Sequence, residues 1–482
     1  MRRLRWLAIL IAFAFVVVAC GRDSKSDSTA STTTKAGGTA TVSTGATTGG
    51  SGASAVTTTV DKCKSEPLKA TEIGVSDTKI TVTVMADVGS PLAPGLFQGN
   101  VDSLNAFAKF VNANGGIGCR QLEVKTWDSK LDPTESKNGL IDGCKNSVAM
   151  VGGNALFNAD VTPMSGCVDK AGAATGLPDI AALANDINEQ CNATTFIIQV
   201  VAEPCTVKTG SRPLKVMVGP TKWLAKNAPG LDATGLHGIF MVPGDLPSTV
   251  QSATYQITGQ AGAGVKWDAT PKVSGRDEQP AYTPRIQTAK AANSTFVYDG
   301  SNDRAMWTMR KEAKAQGLTS VKVWACSLAC YTKAFIATGG ADVEGTYLWM
   351  QFLPFEEADS NPEAKAYVAG VGADKTDSFG AQGWQAAVLF KQVIDAIVAK
   401  SGPNAITRAA ILDGLKNTKD FSANGWMAPK DLKGFGSCFV MLQVKSGKFE
   451  RVFPTEKGKF DCTADNVATV TIDPAEEAKK IS

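Results

Sequence analysis

The stretch Ile80-Thr81-Val82-Thr83-Val84-Met85, followed by Val101, Leu104, Ala108 and Val111 and closed by Gly115-Gly116, decides the class of fold. Its first part is rich in β-branched residues and suits a strand. The next four apolar residues recur at helical spacing, and the paired glycines end that helix. Leu122–Trp127 reads as the following strand. Asp132-Pro133-Thr134-Glu135 then supplies an N-cap, a proline at the first helical position and a glutamate at the third. Val148–Val151 is a further strand that runs into Gly152-Gly153.

The same unit returns downstream. Gly238–Val242 is followed by Pro243-Gly244 and a helix from about Ser248. Thr295–Tyr298 leads into Asp299-Gly300 and a helix carrying Met306, Met309 and Ala313 on one side, and Val321–Trp324 is another strand. Helices follow at Pro362–Gly370, Phe379–Lys400 and Ala405–Asn417, the middle one striped by Ala386, Phe390, Val393 and Ile397. Repeated strand–turn–helix units predict an α/β fold with parallel sheets covered on both faces. One such sheet seldom spans about 400 residues, so two α/β lobes are expected.

The chain has 482 residues, 49 Lys+Arg, 46 Asp+Glu and one His. Arg2, Arg3 and Arg5 lie in a segment expected to be removed, which leaves a balance of zero. A nucleic-acid or anionic-surface role has no electrostatic support, and one His argues against a His-based zinc site. Met1–Ala19 reads as an export signal, because Leu7–Val18 is an apolar run of twelve. That is too short to span a bilayer, which needs about 20 residues. Gly21–Val60 is filled by Ser, Thr, Gly and Ala at 32 of 40 positions and holds no aromatic residue. Such a segment cannot offset its ordering entropy by burial and is expected to be a flexible tether.

Besides Cys20 there are ten cysteines, an even number that reads as up to five disulfides in an oxidising compartment. Near neighbours suggest Cys119–Cys144, Cys191–Cys205, Cys326–Cys330 and Cys438–Cys462, leaving Cys63 with Cys167, although sequence does not fix the pairing. Cys326-Ser327-Leu328-Ala329-Cys330 lacks the second pair or His that a metal site requires.

Catalytic patterns are sparse. There is no Gly-x-Ser-x-Gly elbow and no Gly-x-x-x-x-Gly-Lys phosphate loop. Gly115-Gly116-Ile117-Gly118 follows a helix and precedes a strand, the reverse of a dinucleotide loop. His237 has no Ser or Cys at a recognisable partner spacing. Asp128, Asp132 and Glu135 do not follow a calcium-loop pattern, and capping explains the last two. What remains are small and amide-bearing loops just past strand ends: Gly152–Phe157, Ala182–Asp186 and Asp299–Asn302. In an open α/β sheet such loops face the ligand crevice.

Val17-Val18-Ala19-Cys20 resembles the lipobox of bacterial lipoproteins, which implies cleavage before Cys20 and lipid attachment to its thiol. Ile80–Asp87, Gly95–Val111, Asn112-Ala113-Asn114-Gly115-Gly116-Ile117, Leu122–Pro133, Val148–Asn154, Phe296–Gly300 and Ala313–Leu318 resemble type I solute-binding proteins of branched-chain amino-acid-type ABC importers. The resemblance covers roughly residues 71 to 453. It implies two Rossmann-like lobes joined by three crossovers, with residues 1–19 as signal, 20–70 as tether, 71–234 with 332–425 as one lobe, and 235–331 with 426–475 as the other. By resemblance the crossovers fall near Leu231–Leu236, Cys326–Tyr331 and Ser422–Ala428.

The implied function is a monomeric, membrane-tethered binding protein at the outer face of the cytoplasmic membrane. It would be no enzyme, need no cofactor and no metal, and pass a small organic solute to an ABC permease. A sensing module for a membrane signalling partner and a secreted hydrolase are the alternatives. The candidate ligand residues are Leu96, Asn154, Ala155, Phe157, Leu183, Ala184, Asn185, Asp245, Asp299, Ser301, Tyr331 and Trp384. Amino-acid-binding relatives use Ser or Thr hydroxyls where Asn154–Phe157 and Leu183–Asn185 stand, and a carboxylate where Cys326–Cys330 stands. A buried ammonium without a partner is costly. A less charged, more apolar or aromatic solute is therefore expected.

Overall fold

The structure, a computed structural model, describes residues 62–198, 205 and 207–482. The expected export signal, Cys20 and the tether as far as Asp61 lie outside these residues. Residues 62–70, read from the sequence as tether, belong to the folded unit. Cys63 is bonded to Cys119, and Asn404 Nδ2 donates to the Pro67 carbonyl at 3.0 Å.

The first lobe holds a five-stranded parallel sheet in the order β2-β1-β3-β4-β5. Its strands are β1 Lys79–Ala86, β2 Gln121–Asp128, β3 Ala149–Val151, β4 Asp179–Ala181 and β5 Thr195–Ile197. Helices α1 Gln98–Ala113 and α2 Pro133–Asn146 connect the first three. Asp132 caps α2 by accepting from the Thr134 and Glu135 amides, as its sequence predicts. Leu104, Phe107, Ala108 and Val111 of α1 are buried in the same core as Trp384 and Val388 of a long, later helix, Ser378–Ser401. Leu140 of α2 packs with Met85 and Met150 in a smaller core.

The second lobe is built on strands β7 His237–Pro243, β8 Lys266–Ala269, β9 Lys272–Val273, β10 Phe296–Asp299, β11 Val323–Cys326, β12 Tyr347–Met350, β13 Val440–Lys445 and β14 Lys448–Phe453. The order is β14-β13-β12-β11-β10-β7-β8, with β9 beside β7, and the β12–β13 and β13–β14 pairs are antiparallel. Helix α3 Pro247–Gly262 covers one face. Helices α4 Gln279–Ala291 and α5 Asp303–Ala315 cover the other. A two-stranded antiparallel ribbon, β6 Arg212–Met217 with β15 Val467–Ile472, lies against α3.

Sheet membership departs from the boundaries read in the sequence. β6 lies within 71–234 and β12 within 332–425, yet both join second-lobe structure. After β12 the chain returns to the first lobe as α6 Pro362–Val371, α7 Ser378–Ser401 and α8 Arg408–Asn417. The crossovers shift accordingly. The change from first-lobe to second-lobe structure comes after β5 and before β6, rather than near Leu231–Leu236. The second runs at Gln351–Leu353 rather than Cys326–Tyr331. It lies beside the third, with Leu353 N donating to Trp426 O and Ala428 N to Gln351 O, each at 2.8 Å. A β-strand carries no local mark of which sheet it joins, so only pairing reveals these boundaries.

All ten cysteines among the described residues are bonded. Cys191–Cys205, Cys326–Cys330 and Cys438–Cys462 pair as near neighbours do. The other two expected pairs are corrected to Cys63–Cys119 and Cys144–Cys167. Cys119 sits in the turn before β2, beside the returning segment 62–70, where Arg120 donates to the Lys69 carbonyl at 2.9 Å. Cys144 is near the far end of α2 and meets the loop at Cys167. Arg408 ties that place together by donating to the Cys144 and Val168 carbonyls, both at 2.6 Å.

Candidate functional site

A cleft of about 1020 Å³ opens between the two lobes at the C-terminal ends of their parallel strands. One wall is the loop Leu92–Gln98 leading into α1. Gly95 there has a φ of 85°, a conformation that favours glycine. Phe97 adopts a left-handed φ of 60° despite its bulk. Its ring meets Phe379 edge-on with centroids 4.8 Å apart, and such packing holds a conformation that costs about 1–3 kcal/mol.

Gly99 is fixed by a close approach. A Cβ there would stand 2.0 Å from an Asp377 carboxylate oxygen, so only glycine lets the N-termini of α1 and α7 converge on the cleft. Asp377 caps α7 by accepting from the Gly380 amide at 2.7 Å. Burial, with the Asp102 and Asp303 charges nearby, pushes its carboxyl up to about 6. Asp303, at the start of α5 in the second lobe, accepts from Thr332 Oγ1 at 2.9 Å and from the Arg304 amide at 2.8 Å. Burial raises its pKa too. The backbones of Thr332 and Asp377 pair across the lobes. The cleft thus brings carboxylates from both lobes together. The nearby cations are already engaged: Lys375 Nζ lies 3.7 Å from Asp102, and Arg304 pairs with Glu278.

Five of the sequence-predicted residues line this cleft: Leu96, Leu183, Asn185, Asp245 and Ser301. The Asp245 carboxylate is already taken up by Ser274 Oγ and the Gly275 amide, each at 2.7 Å. The other seven do not line it. Ala155 packs with Met85 and Leu140, and Ala184 with Ala181 and Ile197. Asn154 is buried beside Ala86, and its side-chain amide has no partner among the described residues. Phe157 is half-buried outside the lining. Trp384 is core, donating to Glu363 at 3.0 Å and meeting Phe107 edge-on at 5.0 Å. Tyr331 stacks on Phe355 and donates to Glu356 at 2.6 Å.

Asp299 is fully buried and accepts from the Ser301 amide at 2.7 Å. Its carboxylate and the sulfurs of Cys326 and Cys330 lie within 4.8 Å of one another. The sulfurs are bonded to each other, so no thiolate pair is available to a metal. His237 stands at the opposite end of β7 from the cleft, 2.9 Å from Asp268. Sequence reasoning missed Phe97, Gly99, Asp303 and Asp377. The two aspartates carry a signal, since each starts a helix, but it is the same signal as ordinary capping.

The pattern of the family described as periplasmic binding protein matches residues 79–448. No curated protein sequence matches the chain. Among solved structures, a leucine binding protein from Thermotoga maritima is similar over 77% of this chain and 97% of its own, at 14% identity and a TM-score of 0.59. An ABC transporter substrate binding protein from Aeropyrum pernix is similar over 84% and 100%, at 12% identity and 0.60. A fatty acid ABC transporter substrate-binding protein from Thermomonospora curvata is similar over 80% and 97%, at 15% identity and 0.58. At these identities the likeness concerns the fold. No helix among the described residues is long and apolar enough to cross a membrane.

Proposed function

The chain belongs to the periplasmic binding protein family, and from that premise we propose that it captures a small organic solute between its lobes and hands it to an ABC permease. The observation that carries this reading is the cleft itself, lined from both lobes, with Asp377 and Asp303 converging from opposite sides. Its volume of about 1020 Å³ is at the upper end for small-molecule sites. Its wall is mostly apolar and includes Leu92, Leu96, Leu156, Leu183 and Leu328 as well as the two carboxylates. Such a site fits a solute with an apolar body and hydrogen-bond donors turned toward the aspartates. Cys20, following a signal-like apolar run, is the proposed lipid anchor that holds the protein at the outer face of the cytoplasmic membrane. The protein acts as a monomer in this proposal.

A thermal-shift screen against a broad metabolite panel tests the capture step, because binding to the native state raises the unfolding temperature by mass action. Ala329 lines the cleft in the second lobe. At least one solute should stabilise the protein and fail to stabilise the Ala329→Trp variant. Stabilisation that survives in the blocked variant places binding elsewhere. For the anchor, Cys20→Ala should release the protein from membranes, and unchanged retention counts against lipidation.

A further inference from the structure

Helix α3 packs Val250 and Ile257 against the second-lobe core and presents a further stripe to the cleft. Thr249, Ala253, Gln256 and Gln260 recur at steps of four, three and four, which places them on one side of the helix. That side carries small and amide-bearing residues, and all four line the cleft. Facing them are Phe240, Tyr298 and Trp349, which project from β7, β10 and β12 on the same side of the sheet. Met217 of β6 and Phe435 complete the wall. The cleft therefore continues past the interlobe mouth into a chamber beneath α3.

Gln260 is 3% exposed. Its side-chain oxygen is buried with no hydrogen-bond partner among the described residues. A buried acceptor left unpaired is costly, and natural proteins rarely leave one without a reason. Thr249, by contrast, is occupied, donating to the Pro243 and Leu246 carbonyls. The one titratable group among the chamber residues named above is the Tyr298 hydroxyl, which burial pushes up to about 12. A charged group entering here would lose its hydration without a counter-charge. Aromatic walls instead favour a flat, neutral body.

We propose that this chamber receives the ring-bearing, uncharged body of the solute, with a hydroxyl or N–H donor directed at Gln260 Oε1. The proposal rests on the reading that the cleft captures a solute and specifies which part of that solute goes where.

Calorimetry on the full protein with 2-naphthol and 2-methoxynaphthalene tests it, because the second probe keeps the rings and lacks the donor. The protein should bind 2-naphthol more tightly by roughly fivefold, the value of one net hydrogen bond. Gln260→Leu should keep the 2-methoxynaphthalene affinity and erase that preference. Ala253→Phe, which fills the chamber, should weaken both probes at least about tenfold, consistent with a lost apolar site. The proposal is overturned if neither probe binds, if the preference survives Gln260→Leu, or if folded Ala253→Phe binds as before. Should Ala253→Phe fail to fold, the Gln260→Leu comparison decides alone. A metabolite that is blocked by Ala329→Trp but tolerated by Ala253→Phe would refute the chamber and leave solute capture standing.

Discussion

Across the mouth of the cleft, the Arg276 guanidinium of the second lobe donates to the Pro91 carbonyl of the first, from Nε at 3.2 Å and from Nη2 at 2.9 Å. The two residues are 185 positions apart. Their contact is a latch between the lobes, additional to the paired crossovers at Gln351–Leu353 and Trp426–Ala428. It is exposed to solvent, so its contribution is modest.

Arg276→Ala should favour the open arrangement and weaken solute binding about threefold, the lower end for one net hydrogen bond and in keeping with an exposed contact. The dissociation rate should account for most of that change. An unchanged off-rate would mean that the contact does not restrain the lobes.

Asp377 gives a pH prediction. Its carboxyl is raised to about 6 by burial, so between the unfolded value near 4 and that value the native state holds more protons than the unfolded one. Stability from this group is therefore full below pH 4 and falls as pH rises to 6. A shift of that size is worth about 3 kcal/mol. Asn caps helices as well as Asp does. Asp377→Asn should therefore gain on the parent protein progressively from pH 4 to 6 and hold a constant advantage above. Urea unfolding across that range reads it directly, and parallel curves would contradict it.

Arg408 is fully buried and donates to the carbonyls of Cys144, Ser147 and Val168 at 2.6–2.7 Å. Replacement by Met keeps the bulk but leaves three buried acceptors without this donor. The expected loss is about 3–5 kcal/mol, seen as a lower urea midpoint with the Cys144–Cys167 bond intact. A loss under about 1 kcal/mol, ordinary for a surface change, would show that other groups satisfy those carbonyls.

Much of the architecture was legible in the sequence because its signals are local. The strand at Ile80–Met85, the Asp132 cap and the helical stripe at Ala386, Phe390 and Val393 each follow from neighbouring residues. The β6–β15 pair was not legible, since Arg212 meets Ile472 across some 260 residues and nothing local marks the match. The cysteine pairs divided the same way. Cys326–Cys330 closes within one turn, whereas Cys63–Cys119 depends on where segment 62–70 returns.

The loops past strand ends that the sequence singled out place Leu183, Asn185 and Ser301 on the cleft wall. Trp384 and Tyr331 went to the core because a helical or turn position reads the same whether its aromatic faces a cavity or a neighbour. The carboxylates near the ligand space were missed for a related reason. Asp303 and Asp377 looked like helix-start residues, and they are; only the fold shows that both helix starts face one cleft.

The central claim is that the two lobes close on a solute. Small-angle scattering of the protein alone and saturated with a solute found by thermal shift tests this most directly. The account predicts a smaller radius of gyration on saturation, with Arg276→Ala starting from a more extended form. An unchanged radius at saturation, in a protein that binds the solute, would contradict closure of the cleft as the working motion.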